Sequence, residues 1–220
     1  MILQRLKRKK IEPFFRSYSQ EGEDMVLLRL IGDKTDGFYV DVGAHHPIRF
    51  SNTQHYYEKG WKGINFDALP GSMETFKRLR PRDINVEAGV GKKNKLIYYM
   101  YDEPAINTFD AKLVKKRKND MVPYRIIEKR KIDIRPLGSL LDKYLPKNQA
   151  IDFLTIDVEG KDYEVLVTNN WQKYKPNYIL IECHSLSYAE TIKDRRSIFL
   201  MNRGYEMIAK TLNTAIFKKV

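Results

Sequence analysis

Five carboxylate-bearing segments occur in the 220-residue chain, each at the end of an apolar run. They are Asp41-Val42-Gly43-Ala44, Asp67-Ala68, Glu87-Ala88-Gly89, Asp157-Val158-Glu159-Gly160 and Glu182-Cys183-His184. A carboxylate is costly to bury unpaired, so this series points to a polar cleft that core packing does not require. Carboxylates hold cations, accept hydrogen bonds from hydroxyls and take protons. Gly43 lets the backbone come close to a ligand. His184 adds an imidazole with an intrinsic pKa near ~6.5, suited to proton transfer at neutral pH.

The elements that must gather these ends follow from the apolar pattern. Phe38–Val42, Gly63–Asp67, Asp83–Val90, Ile151–Asp157 and Tyr178–Glu182 read as buried strands. Ser19 is expected to cap a helix with Glu21, Glu23 and Asp24 in its first turn and Met25, Leu28 and Ile31 on its apolar side. Ser51 is expected to cap a second helix through Tyr57, ended by Gly60. Met73, Phe76 and Leu79 mark a third, stopped by Pro81. Further helices are marked by Leu137, Leu140, Leu141 and Tyr144, by Tyr163, Leu166 and Val167, and by Tyr188, Ile192 and Phe199. Tyr205–Ala209 and Thr214–Lys218 close the chain as an antiparallel pair. Residues 92–135 interrupt the alternation: Leu96–Tyr101 and Tyr124–Ile134 are β-prone, and the basic stretch around Lys115 reads as a loop or a mobile helix. The expected architecture is α/β. It is a Rossmann-like, doubly wound, mostly parallel seven-stranded sheet with an antiparallel C-terminal strand pair and a β-rich insertion before the fourth core strand. In such sheets ligands bind beyond the carboxyl ends of the strands, where all five acidic segments fall.

The glycine-rich phosphate fingerprint is absent, because Ala44, His45, His46 and Pro47 follow Gly43. A ligand with a sulfonium, an ammonium, a ribose diol and an adenine, but no phosphate, suits the acids better. That ligand is S-adenosylmethionine. Asp41 would favour its ammonium or sulfonium, Asp67 would accept both ribose hydroxyls, and Glu87 and Ala88 would lie by the adenine edge.

The segments Ser19-Gln20-Glu21-Gly22-Glu23-Asp24, Phe38 to Ala44, Ser51-Asn52-Thr53, Gly60 to Asn65 and Ile151 to Gly160 together resemble the FkbM-type methyltransferase family. The resemblance implies a class I methyltransferase fold, S-adenosylmethionine and methyl transfer to a hydroxyl oxygen. It also implies that Gln20, Glu21, Asp41, Gly43, Ala44, His45, Asn52, Asp67, Ala68 and Asp157 border the cofactor. Members of the family often accompany surface-polysaccharide or secondary-metabolite genes. Where the family pattern has Glu-Pro-Asn-Pro after the second strand, this chain has Asp67-Ala68-Leu69-Pro70, an acid one carbon shorter. His45-His46 replaces a turn in which Asn is common, and either ring could bond the cofactor carboxylate.

Methyl transfer is an in-line displacement, and a sugar hydroxyl needs a base or a metal to release its proton. Candidate bases are Asp157, Glu159 and His184, although Glu159 could instead cap a helix and His184 could instead be a cap or a supporting residue. Asp157, Glu182 and His184 could also together bind a hard divalent ion such as magnesium, although they show no tight ligand spacing and a metal is the lesser expectation. Tyr98, Tyr99, Tyr101, Asn107 and Tyr124, from the insertion, are candidates for the acceptor side, as aromatic faces and hydrogen-bonding groups for a sugar.

The expected acceptor is a glycan or glycoconjugate. The alternatives are RNA 2′-O-methylation, a small-molecule acceptor and a non-enzymatic scaffold. Forty Lys and Arg against 28 Asp and Glu give a net charge of +12, which suits nucleic acid, anionic membrane or acidic glycans alike. No RNA-binding module is apparent, so nucleic acid is the lesser expectation. The basic residues concentrate at 1–16 and around 112–131, each readable as a solvated segment or as a contact surface. One domain over 1–220 is expected. No run reaches membrane-spanning length, and the lone Cys183 fits a reducing compartment, so a cytoplasmic enzyme, peripheral to a membrane at most, is anticipated.

Overall fold

The computed structural model describes residues 16–184 and 187–220. The expected basic segment at residues 1–16 lies, apart from Arg16, outside the described residues. In chain order the elements are α1 (Glu23–Ile31), β1 (Phe38–Val42), α2 (Gln54–Glu58), β2 (Lys62–Asp67), α3 (Ser72–Leu79), β3 (Ile84–Glu87), β4 (Gly89–Val90) and β5 (Asn94–Tyr101). A 3₁₀ turn, Pro104–Ile106, is followed by α4 (Ala111–Asn119), β6 (Ile126–Arg135), α5 (Leu137–Tyr144), β7 (Phe153–Ile156) and α6 (Asp162–Leu166). Then come β8 (Tyr178–Glu182), α7 (Tyr188–Lys193), α8 (Arg195–Met201), β9 (Tyr205–Lys210) and β10 (Thr214–Lys219).

Seven strands form one sheet in the order β3-β2-β1-β7-β8-β10-β9. The first five run parallel, and β10 is antiparallel to both β8 and β9. Chain direction across the sheet reverses between β1 and β7, which makes their carboxyl ends the place where a ligand crevice opens. Apolar residues cover both faces because successive strand residues point to opposite sides. Val40, Ile64, Leu154 and Ile179 meet Leu140, Val165 and Leu200 on one face. Tyr39, Phe153, Leu180 and Ile216 meet Leu27, Tyr56 and Trp61 on the other.

Several boundaries differ from the sequence expectation, each for a tertiary reason. The run Asp83–Val90 is two strands, not one. The Ala88 N–H makes a last bond to the Asp67 carbonyl (2.8 Å), and Gly89 and Val90 then pair with Ile134 and Arg135 of β6. The insertion is thus a second sheet, β4-β6-β5, with α4 where a loop or mobile helix was expected. Asp110 starts α4, its carboxylate accepting from the Lys112 and Leu113 amides. Gly22, not Ser19, occupies the N-cap position of α1, but the Ser19 hydroxyl still accepts the Asp24 N–H of the first turn at 3.2 Å and donates to Asp24 Oδ1 at 2.8 Å. Leu27, with Val26 and Ile31 beside it, is what α1 packs against the core, not Met25 and Leu28. The C-terminal helix breaks at Asp194, which ends α7 and caps α8.

Candidate active site

A cleft of about 340 Å³ opens at the ends of β1, β7 and β8. It is bordered by Gln20, Glu21, Asp41, Gly43, Ala44, His45, Asn52, Asp157, Glu159, Glu182 and His184, all singled out from sequence. A smaller cavity adjoins it and shares Gly43, His45, Asp157 and Glu159; Asp67, Ala68 and Ala88 line this one. Glu87 lines neither. Its carboxylate accepts the Gly71 N–H at 2.7 Å, so it anchors the start of α3 instead of an adenine edge.

The anchors differ in what they leave free. Asp41 is buried and accepts one bond, from the Thr53 hydroxyl at 3.0 Å. Burial raises its pKa to about 7, against the lowering pull of Arg80 and Thr53. Arg80, fully buried, donates to Thr53 Oγ1 (2.7 Å), Ser51 Oγ (2.8 Å), Gln54 Oε1 (3.0 Å) and the Pro47 carbonyl. One guanidinium thus shapes the whole loop between β1 and α2 and supports Asp41 through Thr53. Asn52, on that loop, donates to Thr155 Oγ1 at 3.0 Å. Asp67 accepts the amides of His45 (2.8 Å) and Leu69 (2.7 Å), one on each oxygen. The Ser72 hydroxyl lies against the same carboxylate, which retains acceptor capacity for a ligand hydroxyl.

Some expected contacts are already spent within the protein. The Glu21 carboxylate accepts the Asn213 backbone N–H at 2.7 Å and its side-chain amide at 2.5 Å. It therefore latches the turn between β9 and β10 onto the segment before α1, and brings Asn213 and Thr214 to the cleft. His46 Nδ1 accepts the amides of Ile48 and Arg49 within its own turn. His45 is held neutral, its pKa lowered to about 4 by burial and by Arg49. Gly43 has φ 88°, and a Cβ there would fall 1.7 Å from the Asp157 carbonyl oxygen. Its amide bonds the Phe66 carbonyl at 2.9 Å. The close approach that demands glycine is therefore to β7's outlet, within the protein.

The outlets of β7 and β8 gather Asp157, Glu159, Asp162, Glu182 and His184. His184 Nε2 lies 2.5 Å from Glu182 Oε1 and 3.8 Å from Glu159 Oε2. These two acids raise its pKa to about 11. It is a cation at neutral pH, which corrects the expectation that it serves as a free base. Glu159 also meets Arg117 of α4. Asp157 opens to the cleft but is enclosed by protein elsewhere, and burial with Glu182, Glu159 and Asp162 nearby pushes its pKa well up. Asp162 accepts the Val158 amide on Oδ1 (3.0 Å), while its buried Oδ2 has no partner among the described residues.

The expected metal set divides. Asp157 groups with Asp162 and Glu182, and His184 groups with Glu159 and Glu182; ligand atoms within each triplet lie within 4.8 Å. The first, all oxygen, has the donor chemistry a hard divalent cation takes.

The insertion supplies parts that no motif announced. Arg49 makes a two-pronged pair with Glu103, both bonds 2.8 Å, across the cleft mouth. Arg117 and Tyr124 also line the cleft. Of the five expected acceptor-side residues, Tyr124 alone borders it; Tyr98 and Asn107 line the smaller cavity and Tyr101 is buried. Tyr99 lines neither and lies under the Lys129 ammonium. His45, Phe50 and Glu159, all at the cleft, adopt positive φ (51°, 56° and 56°). Non-glycine residues held this way collect at functional sites.

The architecture and these anchors fit S-adenosylmethionine: buried acids for its cations at Asp41 and for its ribose at Asp67. One comparison shows the family. The pattern of the FkbM methyltransferase domain matches residues 41–207. No curated protein matches the sequence. Three solved structures are similar. A candidate RNA methyltransferase from Pyrococcus horikoshii has 10% identity and a TM-score of 0.46, over 90% of this chain and 83% of its own. A TehB-like S-adenosylmethionine-dependent methyltransferase from Corynebacterium glutamicum has 10% identity and a TM-score of 0.43, over 91% and 88%. Fibrillarin from Aeropyrum pernix, with S-adenosylmethionine natively bound, has 14% identity and a TM-score of 0.44, over 90% and 73%. With three quarters of its length matched by the domain pattern, the chain belongs to the FkbM family of S-adenosylmethionine-dependent methyltransferases.

Proposed function

We propose that the enzyme transfers a methyl group to a hydroxyl oxygen of a sugar in a glycan or glycoconjugate, and that it works in the cytoplasm. The observation that carries the proposal is Asp157: a carboxylate open to the cleft, with its proton affinity raised, at the strand end beside the methionyl anchor Asp41. A sugar hydroxyl is a poor nucleophile, and a base of raised pKa suits it better than an ordinary carboxylate. S-adenosylmethionine supplies a methyl already attached to a good leaving group. Asp41 holds the cationic end, Asp67 the ribose, and Asp157 accepts the hydroxyl proton as the oxygen–carbon bond forms and the sulfur–carbon bond breaks. His184 holds Glu182 ionised beside it, its pKa lowered against the effect of burial, which keeps the transferred proton on Asp157. Phe50 and Tyr124, both exposed on the cleft, offer apolar faces to a sugar ring.

As the alternative to Asp157 acting as a free base, we propose that Asp157, Asp162 and Glu182 hold a divalent cation such as magnesium, which would activate the acceptor hydroxyl by coordination. It would offset the charge of three neighbouring carboxylates and fill the place of the missing partner to Asp162 Oδ2.

The test is incubation with methyl-labelled S-adenosylmethionine and a panel of neutral and acidic glycans, nucleotide sugars and RNA, with and without a chelator. Label is expected in an alkali-stable sugar methyl ether; transfer that survives the chelator supports Asp157 as a free base, and loss of transfer supports the cation. Asp157→Asn is expected to lower turnover by about 10²–10⁴-fold, with S-adenosylmethionine affinity nearly unchanged. Label appearing in RNA alone would reassign the acceptor.

A further inference from the structure

The second sheet leaves one face open. Successive residues of a strand point to opposite sides. On β5, Tyr98 and Met100 turn inward and are buried, while Lys95, Ile97 and Tyr99 turn outward. On β6, Ile132 and Ile134 turn inward, and Ile127, Lys129 and Lys131 share the outward face. The ladder sets Ile97 opposite Lys131 and Tyr99 opposite Lys129, whose ammonium lies 5.6 Å from the Tyr99 ring. α4 reaches this face at its Tyr101 end, where Arg117 stands 5.7 Å from that buried ring. Elsewhere the face is uncovered: Ile97 is 48% exposed and Ile127 64%. Met121, in the loop that leads from α4 into β6, is 86% exposed. The ion pairs on the two strands are Lys95 with Asp133 and Arg130 with Glu128, which leaves Lys129 and Lys131 unpaired among the described residues.

We propose that this face and the Met121 loop rest on an anionic lipid membrane. Met121, Ile97 and Ile127 enter between the headgroups, and Lys129 and Lys131 stay at the phosphates. The mixture of side chains is what selects lipid among partners. A polyanion such as RNA or an acidic glycan has use for the lysines but none for exposed aliphatic groups. A second copy of the chain offers apolar contacts but brings the same net charge of +12, which opposes association. A bilayer with acidic headgroups meets both needs, with charge at its surface and hydrocarbon just below. No helix among the described residues is long and apolar enough to cross a membrane, so the attachment is to the surface. Tyr124, three residues past Met121, lines the cleft, so the cleft opens close to the lipid. The proposal goes beyond the acceptor reading and does not depend on it.

The test is co-sedimentation of the full chain with vesicles. Vesicles of equal parts phosphatidylcholine and phosphatidylglycerol should bind it, and vesicles of phosphatidylcholine alone should bind it far more weakly. The triple variant Ile97→Ser, Met121→Ser, Ile127→Ser keeps the charge and should lower binding by about tenfold or more. Lys129→Gln with Lys131→Gln should lower it by about fivefold or more. Should the triple variant fail to fold, Met121→Ser alone lies outside both sheets and should still cost about threefold. Affinity for heparin, a polyanion without lipid, should fall with the lysine changes and stay unmoved by the serine changes. Equal vesicle binding by the native chain and the serine variants would overturn the proposal, because charge alone, here or in residues 1–16, would then account for the binding. Absence of binding to the acidic vesicles would overturn it too, as would lipid-free self-association that the serine changes abolish. The readout uses neither cofactor nor methyl transfer, so its failure and that of the acceptor reading are separate results.

Discussion

Asp41 bears the clearest conflict between stability and function in the molecule. A buried carboxylate with one hydroxyl partner is held in a form the fold disfavours. Its pKa is about 7 in the fold and near 3.8 in an ordinary chain. Below about pH 4 it is protonated in both states and has no effect. Through pH 4–7 the unfolded chain ionises first, so folding loses stability as pH rises, and above 7 the full penalty stands. Asp41→Asn is therefore expected to stabilise the ligand-free protein at pH 8 by on the order of 2–4 kcal/mol, read by thermal or urea denaturation. The same change should weaken S-adenosylmethionine binding at least tenfold. In the native protein, affinity for the cationic cofactor should rise between pH 6 and pH 8, as Asp41 ionises; a flat profile would remove Asp41 from the cation's seat. Sequence showed this residue because an acid closing an apolar strand is conspicuous. It did not show Arg49, Arg117 or Asn213, which reach the cleft from a turn, a helix and a hairpin that nothing local marks as neighbours.

At the scale of elements, the loop between β1 and α2 depends on a side chain outside it. Arg80 follows α3 and satisfies acceptors on three residues of that loop and on Gln54 of α2, while it faces Asp83 at 3.8 Å. Removing one partner of a buried ionic network costs about 3–5 kcal/mol. Arg80→Met is expected to fall in that range by urea denaturation. Arg80→Lys should recover little of it, because one ammonium cannot span the fork's acceptors. A loss below about 1 kcal/mol would mean that the loop holds its own shape. Arg80 was invisible in sequence: a basic residue at a helix C-terminus, just before Pro81, reads as an exposed complement to the helix dipole. The strands were legible, since five apolar runs ended where the structure ends them, within a few residues. The breaks at Ala88 and Asp194 were not, because each is decided by a partner distant in the chain or by a second use of one side chain.

At the scale of the whole molecule, the charge of +12 finds a local expression in α4. Lys112, Lys115 and Lys118 are exposed on this helix, whose Arg117 lies at the cleft, and they make no ion pair among the described residues. A field of one sign beside a cleft raises the local concentration of oppositely charged ligand and fades with salt. Acceptors bearing carboxylate or phosphate are expected to show an acceptor KM that rises several-fold between about 0.05 and about 0.5 M salt, while neutral acceptors of similar size change little. Steady-state kinetics over that range checks it, and parallel behaviour of the two acceptor types would assign the lysines to solubility alone. The basic stretch and the β-rich insertion around it were plain in sequence, and a helix was one of the two forms expected; its place beside Glu159 was not, since that contact joins residues 42 positions apart.

Gly43 leaves a consequence of a different kind. With the Asp157 carbonyl where a side chain would be, the ends of β1 and β7 are set at a separation that backbone alone dictates. The proposed seat of the methyl donor and the proposed base are thereby one rigid unit. Phe50, Tyr124 and Arg117 of α4, which line the cleft on its other sides, are hung on segments outside that unit. Descendants of such a chain can exchange those segments and acquire new acceptors without recalibrating the reaction. Position 43 itself is closed to change, and a mutation there reports on the spacing of two strands before it reports on any ligand.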